Sequence, residues 1–223
     1  MKLGVYGGSF DPPHFGHLLL AETARSTLGL DRVDFVPLGA HPYAKNLRSS
    51  CEDRFAMTSA ALAPYPEFHV SRIEIDASGV SYTRDTLKRY RELYPDAEVF
   101  LILSSETFND LPNWRGADEI CELATLAVAR RAGYPEPDFT VFHDVTTEER
   151  IEAFCRCVVS MPLIEISSSY IRKLLASGQS ARFLTPDAVI EYARKHGLYR
   201  ESTELTSRSE PSGANVRRRT KRC

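Results

Sequence analysis

At 223 residues, with 43% hydrophobic and 26% charged positions, the chain has the length for one domain with a real core. Its net charge of −2 divides unevenly: residues 200–223 hold seven Arg and Lys against three Glu, so the tail carries +4 and residues 1–199 carry −6. A body of that sign excludes a broad nucleic-acid surface, and no apolar run approaches the ~18 residues of a membrane span. The N-terminus passes at once into a strand pattern, leaving no room for a signal peptide. Five cysteines, at 51, 121, 155, 157 and 223, are odd in number and scattered, and Cys155-Arg156-Cys157 has the wrong spacing for a zinc knuckle or a redox pair. Together these predict a cytoplasmic protein with reduced thiols.

In chain order, Leu3–Tyr6 is short, apolar and β-leaning, the pattern of a buried first strand. Leu18, Ala21, Ala24 and Leu28 then recur at helical spacing. Val33–Leu38 predicts a second strand, followed by a loop across Gly39-Ala40-His41-Pro42-Tyr43-Ala44-Lys45-Asn46. Ser50 caps the next helix and Asp53 completes a capping box, with Phe55–Ala63 as its body. Phe68–Ile75 supplies two short strand pieces; after a turn at 79–83, Leu87, Tyr90 and Tyr94 mark a helix from about Thr83. Val99–Leu103 is an unbroken apolar run, the signature of a central strand covered on both faces, and Ser104–Trp114 leaves its end as a loop. Leu123–Ala129 predicts another buried strand, residues 134–145 a loop, and Thr146-x-x-Glu149 the cap of a helix through Cys157. A last strand is expected over Val158–Ile166. A helix opened by Ser167-Ser168-Ser169 carries Ile171, Leu174 and Leu175. Another follows Thr185-Pro186, an N-cap with Pro at the first helical position, and runs to Gly197.

This alternation of strand and helix predicts an α/β fold: a Rossmann-like, doubly wound, mostly parallel sheet with helices on both faces and a small C-terminal helical part at about 167–199. Residues 1–199 form one domain. After Tyr199 the apolar pattern stops, so 200–223 reads as a disordered basic tail, its Arg217-Arg218-Arg219 cluster a solvated feature.

The chemistry is concentrated in two stretches. Between the first strand and the first helix stand Gly7-Gly8-Ser9-Phe10-Asp11-Pro12-Pro13-His14-Phe15-Gly16-His17. A Gly-rich turn opening a helix offers backbone N–H groups and the positive end of a dipole to an anion. His14 and His17, three residues apart, fall on one face of the first helical turn and add donors suited to phosphate oxygens. The rival phosphate loops, G-x-x-x-x-G-K-[ST] and G-x-G-x-x-G, are absent at this turn. Late in the chain, Ile166-Ser167-Ser168-Ser169-Tyr170-Ile171-Arg172 gathers three hydroxyls at a helix N-terminus, with a guanidinium one turn in that matches phosphate geometry.

The first stretch resembles the G-G-[ST]-F-D-P-x-H-x-G-H signature of the nucleotidylyltransferase superfamily, whose bacterial nicotinate-nucleotide adenylyltransferases carry it in nearly this form. The second resembles the I-S-S-[ST]-x-[IV]-R motif of the same superfamily. Softer likenesses are Ser81-Tyr82-Thr83-x-x-Thr86-Leu87, similar to the nicotinate branch's S-Y-T-x-x-T-L, and Arg130-Arg131-Ala132-Gly133-Tyr134, similar to R-R-x-G-Y. One departure stands out. Where the family has G-x-D after the central strand, this chain reads Ser104-Ser105-Glu106.

The resemblance implies transfer of AMP from ATP to nicotinate mononucleotide, giving deamido-NAD and pyrophosphate. His14, His17, Lys45 and Arg172 would be the catalytic groups. ATP would lie along Gly7, Gly8, Ser9 and Phe10 with the two histidines, against Ser104 and Glu106, and against Ile166, Ser167, Ser168, Ser169 and Arg172. Nicotinate mononucleotide would meet Ser9, Lys45, Tyr82, Thr83 and Arg131, with Trp114 able to stack on a pyridine ring. No Asp/Glu pair has metal-ligand spacing, so no protein metal site is expected and Mg2+ would be carried mainly by ATP. No membrane or nucleic-acid partner is expected, and a homo-oligomer stays open. Two other readings also stand at this point: an adenylyltransferase of the phosphopantetheine type, and a nucleotide-binding sensor that lost catalysis through the change to Ser104 and Glu106.

Overall fold

The structure, a computed structural model, describes residues 1–40, 47–131, 136–162 and 164–200, with Arg131 described by its backbone alone. Among these residues six strands form one sheet: β1 (Lys2–Gly8), β2 (Arg32–Pro37), β3 (Phe68–Val70), β4 (Glu98–Ser104), β5 (Thr125–Arg131) and β6 (Val158–Met161). Their order is β3-β2-β1-β4-β5-β6, and every neighbouring pair is parallel, so the expected mostly parallel sheet is parallel throughout. Helices α1 (Phe15–Leu28), α2 (Cys51–Leu62), α3 (Thr83–Leu93), α4 (Ser105–Asp110), α5 (Ala117–Leu123), α6 (Glu148–Cys155), α7 (Ser168–Ala176) and α8 (Asp187–Lys195) complete the described fold.

Strand periodicity builds two separate cores. On β4, Val99, Leu101 and Leu103 join one apolar cluster while Phe100 and Ile102 join the other. On β5, Leu126 and Val128 face the first and Ala127 and Ala129 the second, because successive side chains of a strand point to opposite faces. The first cluster takes Leu87 and Tyr90 of α3, Phe108 of α4, Ile120 of α5 and Phe154 of α6; the second takes Leu18, Leu20, Ala21 and Ala24 of α1. α8 packs on α2, with Val189 and Ala193 against Met57 and Ala61.

Several expected boundaries move. The second piece of Phe68–Ile75 is a turn rather than a strand, with Asp76 N–H bonded to the Arg72 carbonyl at 2.9 Å. Ser104–Trp114 is not a loop: Ser104 caps α4, accepting from the Thr107 N–H, and Leu111–Asn113 adds a 3-10 turn. α5 has no counterpart among the expected helices, and the strand expected at Leu123–Ala129 is β5, two residues later. Residues 134–145 hold a 3-10 turn at Phe139–Phe142. The cap of α6 is Thr147, one residue after the expected Thr146. β6 ends at Met161, five residues before Ile166. Before α8, Pro186 takes the N-cap place, because the Thr185 hydroxyl donates instead to the Pro13 carbonyl, at 2.7 Å. The Ser50–Asp53 capping box forms as read, and of the three serines expected to open α7 it is Ser167 that caps it. Residues 201–223, with Arg217-Arg218-Arg219, lie outside the described residues. No described helix is long and apolar enough to cross a membrane.

Candidate functional site

Because all six strands run the same way, their C-terminal ends share one edge. β1 is flanked by β2 on one side in the sheet and by β4 on the other, so the chain switches direction there and opens a crevice above the β1 and β4 ends. The two motifs meet in that region.

β1 ends at Gly8, where a Cβ would stand 2.7 Å from the Phe10 ring; only glycine lets that ring lie back over the strand. Phe10 itself sits at φ 46° and is fully buried, its ring edge-on to Tyr6 and to His17. Its side chain is therefore a core group, and only its backbone is left to face a ligand. The chain then rises through Asp11, Pro12 and Pro13 to His14, the N-cap residue of α1. The His14 and His17 rings stack, centroids 3.6 Å apart and planes 24° from parallel. The His14 backbone N–H donates to His17 Nδ1 at 3.1 Å. A nitrogen that accepts carries no proton, so the neutral tautomer of His17 holds its hydrogen on Nε2.

α7 delivers the second motif to the same loop. Arg172 Nη1 donates to the Asp11 carbonyl at 2.6 Å and Nη2 to Ser169 Oγ at 3.1 Å. Ser168 Oγ donates to the Pro12 carbonyl at 2.8 Å. Ser167 caps the helix, accepting from Tyr170 N–H at 3.2 Å, and Ile166 packs on the small cluster around Ile171. Residues 161 positions apart are thus joined directly, and the imidazoles and the guanidinium share one loop.

The softer motifs build the neighbouring wall. Tyr82 is the N-cap residue of α3 and Thr83 its first helical residue. The Arg115 guanidinium lies over the Tyr82 ring at 4.8 Å, next to half-buried Trp114, whose Nε1–H donates to Asp110 at 3.1 Å. Arg115, next to Trp114 in the chain, thus brings that turn against the start of α3. Ser104 is half-buried within its cap, while Glu106 is exposed on the first turn of α4. Lys45 and residues 132–134 lie outside the described residues, as does the side chain of Arg131.

Three further groups hold these walls: two, Arg54 and Glu74, lie outside the sequence motifs, and one, Asp11, lies in the first motif without a role assigned to its side chain. Arg54 is fully buried; it donates to the Ser9 carbonyl at 3.0 Å, to the Leu38 carbonyl, and to the Cys51 thiol at 3.2 Å, so one guanidinium joins the phosphate loop to the end of β2. Its signal was legible: Arg54, Met57, Thr58, Ala61 and Leu62 keep the spacing of a buried helical stripe, and a charge on such a stripe needs buried partners. Glu74, 6% exposed, accepts from the Thr86 hydroxyl at 2.7 Å and from Gly39 N–H at 3.3 Å. Burial pushes its carboxyl up from the usual range, against the opposing pull of those two bonds and of the Arg54 charge. The third is the side chain of Asp11, buried within the phosphate loop itself.

With this geometry in view, the chain matches the cytidylyltransferase-like family model over residues 5–174. It is 42% identical over 202 residues to a probable nicotinate-nucleotide adenylyltransferase of Thermus thermophilus, covering 90% of this chain and all of that one. The corresponding protein of Saccharopolyspora erythraea is 36% identical over 217 residues, covering 95% and 97%. This chain belongs to the nicotinate-nucleotide adenylyltransferase family. A Plasmodium falciparum nicotinic acid mononucleotide adenylyltransferase, solved with NaAD, has the same fold, with a TM-score of 0.71 at 19% identity over 89% of this chain and 97% of that one. The Gly7–His17 and Ile166–Arg172 motifs, read as resemblances, meet at one edge of the sheet.

Proposed function

We propose that the protein transfers AMP from ATP to nicotinate mononucleotide, releasing pyrophosphate and forming deamido-NAD. The observation that carries this reading is the convergence of Arg172 and Ser168 on the Asp11–Pro12 carbonyls beside the stacked His14 and His17. One phosphate oxygen of the mononucleotide attacks the α-phosphorus of ATP in line, and the bond from that phosphorus to the bridging oxygen of pyrophosphate breaks. The nucleophile is already anionic at neutral pH, so no side-chain nucleophile is required. Catalysis is positioning plus stabilisation of the charge that builds on phosphate oxygens.

The triphosphate lies along the Gly7–Phe10 backbone and the start of α1, with His17 Nε2–H and His14 as donors. Arg172, Ser168 and Ser169 at the N-terminus of α7 take the departing pyrophosphate, whose bidentate geometry a guanidinium fits. Ser167 and Ile166 place that helix start, and Ser104 with Glu106 borders the nucleotide above β4. The nicotinate mononucleotide occupies the wall of Ser9, Tyr82, Thr83 and Trp114, completed by Lys45 and Arg131. Mg2+ enters with ATP as part of the substrate. Asp11, the carboxylate of the loop, is a poor ligand for it, since both its oxygens already accept hydrogen bonds.

The work is done in the cytoplasm by residues 1–199 as one domain. Pyrophosphate release, measured with ATP and either nicotinate or nicotinamide mononucleotide, tests the whole reading. Turnover with the nicotinate form, and much slower turnover with the amide, is expected. No release with either would overturn it.

A further inference from the structure

The proposed transfer uses the backbone of Asp11 and leaves its side chain without a task. Asp11 is 2% exposed. Its carboxylate accepts from the Arg48 N–H at 2.7 Å, from the Ser49 hydroxyl at 2.5 Å and from the Tyr199 hydroxyl at 2.7 Å. Its carbonyl holds Arg172. The next polar groups of the loop also lean on the C-terminal segment: the Pro12 carbonyl on Ser168, the Pro13 carbonyl on Thr185, and Phe15 N–H on the Leu184 carbonyl at 3.0 Å.

Tyr199 is the last of these ties: its ring packs on the cluster of Met57, Ala61, Val189 and Ala193 between α2 and α8, and its hydroxyl reaches past them to Asp11. α8 stops at Lys195, and the chain turns back through Gly197 at φ 65° and Tyr199 at φ 63°. A tyrosine in the left-handed region is costly and persists only where its surroundings hold it there. Here the half-buried phenol lies beside a carboxylate, and desolvation, with the Asp11 charge, pushes its ionisation above the ordinary tyrosine range. It therefore remains a donor at any working pH.

We propose that Tyr199 is a positioning residue for adenylyl transfer: its hydroxyl fixes the Asp11 carboxylate, and through Asp11 the carbonyl that aims Arg172 and the turn that carries His14 and His17. The proposal rests on the adenylyl-transfer reading. Without the phenol oxygen, a buried carboxylate loses one of three donors and the loop is free to rotate toward the two that remain. A displacement near 1 Å at a reacting phosphate costs about a hundredfold in rate.

The test uses the full-length chain and begins with wild-type turnover on ATP and nicotinate mononucleotide. Tyr199→Phe is expected to lower kcat by about tenfold to a hundredfold, leave KM for the mononucleotide near its wild-type value, and unfold within a few degrees of the wild type. Asp11→Asn should lose kcat likewise, and the double variant should lose little more, because both act through one contact. Tyr192→Phe is the control: its hydroxyl ties α8 to Asp53 at 3.0 Å and does not touch Asp11, so it should keep its kcat. Unchanged kcat in Tyr199→Phe, multiplied losses in the double variant, or an equal loss in Tyr192→Phe would each overturn the proposal alone. A wild type without turnover would overturn the functional reading and this one with it.

Discussion

A methyl group added at Gly39 reports on the mononucleotide wall without touching a single candidate ligand group. Built on the backbone, that Cβ stands 2.1 Å from the Glu74 carbonyl oxygen, 2.7 Å from its carbonyl carbon and 3.0 Å from Ser81 Oγ. Ordinary contact starts at 3.4 Å, so Gly39→Ala obliges the Glu74 peptide to withdraw by the difference from 2.1 Å, about 1.3 Å. Glu74 cannot retreat alone. Its carboxyl is bonded to Gly39 N–H and the Thr86 hydroxyl, and Ser81 N–H is bonded to the Ala40 carbonyl at 2.8 Å. The strain is therefore passed to the start of α3, where Tyr82 and Thr83 stand. Overpacking of this kind costs about 1–3 kcal/mol, equivalent to a fall in Tm of about 2–12 °C for a domain this size. A shift near 1 Å in a positioning wall costs about a hundredfold in rate. Steady-state kinetics with each substrate varied in turn should show kcat/KM for nicotinate mononucleotide down by about that factor. KM for ATP should change less, because α7 and Thr185 hold the phosphate loop from its other side, although Arg54 and the Leu38 N–H tie that loop to the residue next to Gly39. A variant with the expected fall in Tm and kcat/KM for the mononucleotide unchanged would refute the placement of that substrate.

His17→Ala removes the donor carried on Nε2 and is expected to lower kcat by about a hundredfold to a thousandfold, with the far-ultraviolet circular dichroism unchanged; near-normal turnover would end its assigned role. Trp114→Ala should raise KM for nicotinate mononucleotide and leave KM for ATP alone, read from the same initial-rate series. Glu74→Gln tests the buried carboxyl. The folded-state value is raised, so folding favours the protonated form, and that stabilisation is complete below the unfolded value of 4.5 and is lost as pH rises through the folded value. The Tm difference, variant minus wild type, should therefore become more positive between pH 4 and 8, and a difference independent of pH would show that the carboxyl carries no such cost.

The parts of this protein that follow from local chemistry were legible in its letters. A strand followed by Gly-Gly and two histidines three apart can do little but cross from sheet to helix with both imidazoles at the start. The Ser50–Asp53 box and the serine-opened start of α7 formed as read because each is closed within three residues. The apolar run at β4 could only be a covered strand. Where reading failed, a distant partner had overridden a local rule. Thr185 has a good cap sequence, but its hydroxyl serves Pro13, 172 residues earlier. Of the two strand pieces expected over Phe68–Ile75 only the first forms, since Arg72 is drawn to Glu52 at 2.7 Å and Glu74 turns inward to Gly39.

What the sequence alone determined, then, is the kind of chemistry and the elements that carry it: phosphate-handling groups at two helix starts on an α/β sheet. Only the tertiary structure decided that the two starts face one another across a single loop, and that Arg54, Glu74 and Asp11 hold the walls in place. The physical reason is that periodicity and capping act over three or four residues, whereas a buried charge is satisfied by whatever donor or acceptor the fold brings within about 3 Å, and no local pattern records which one that will be.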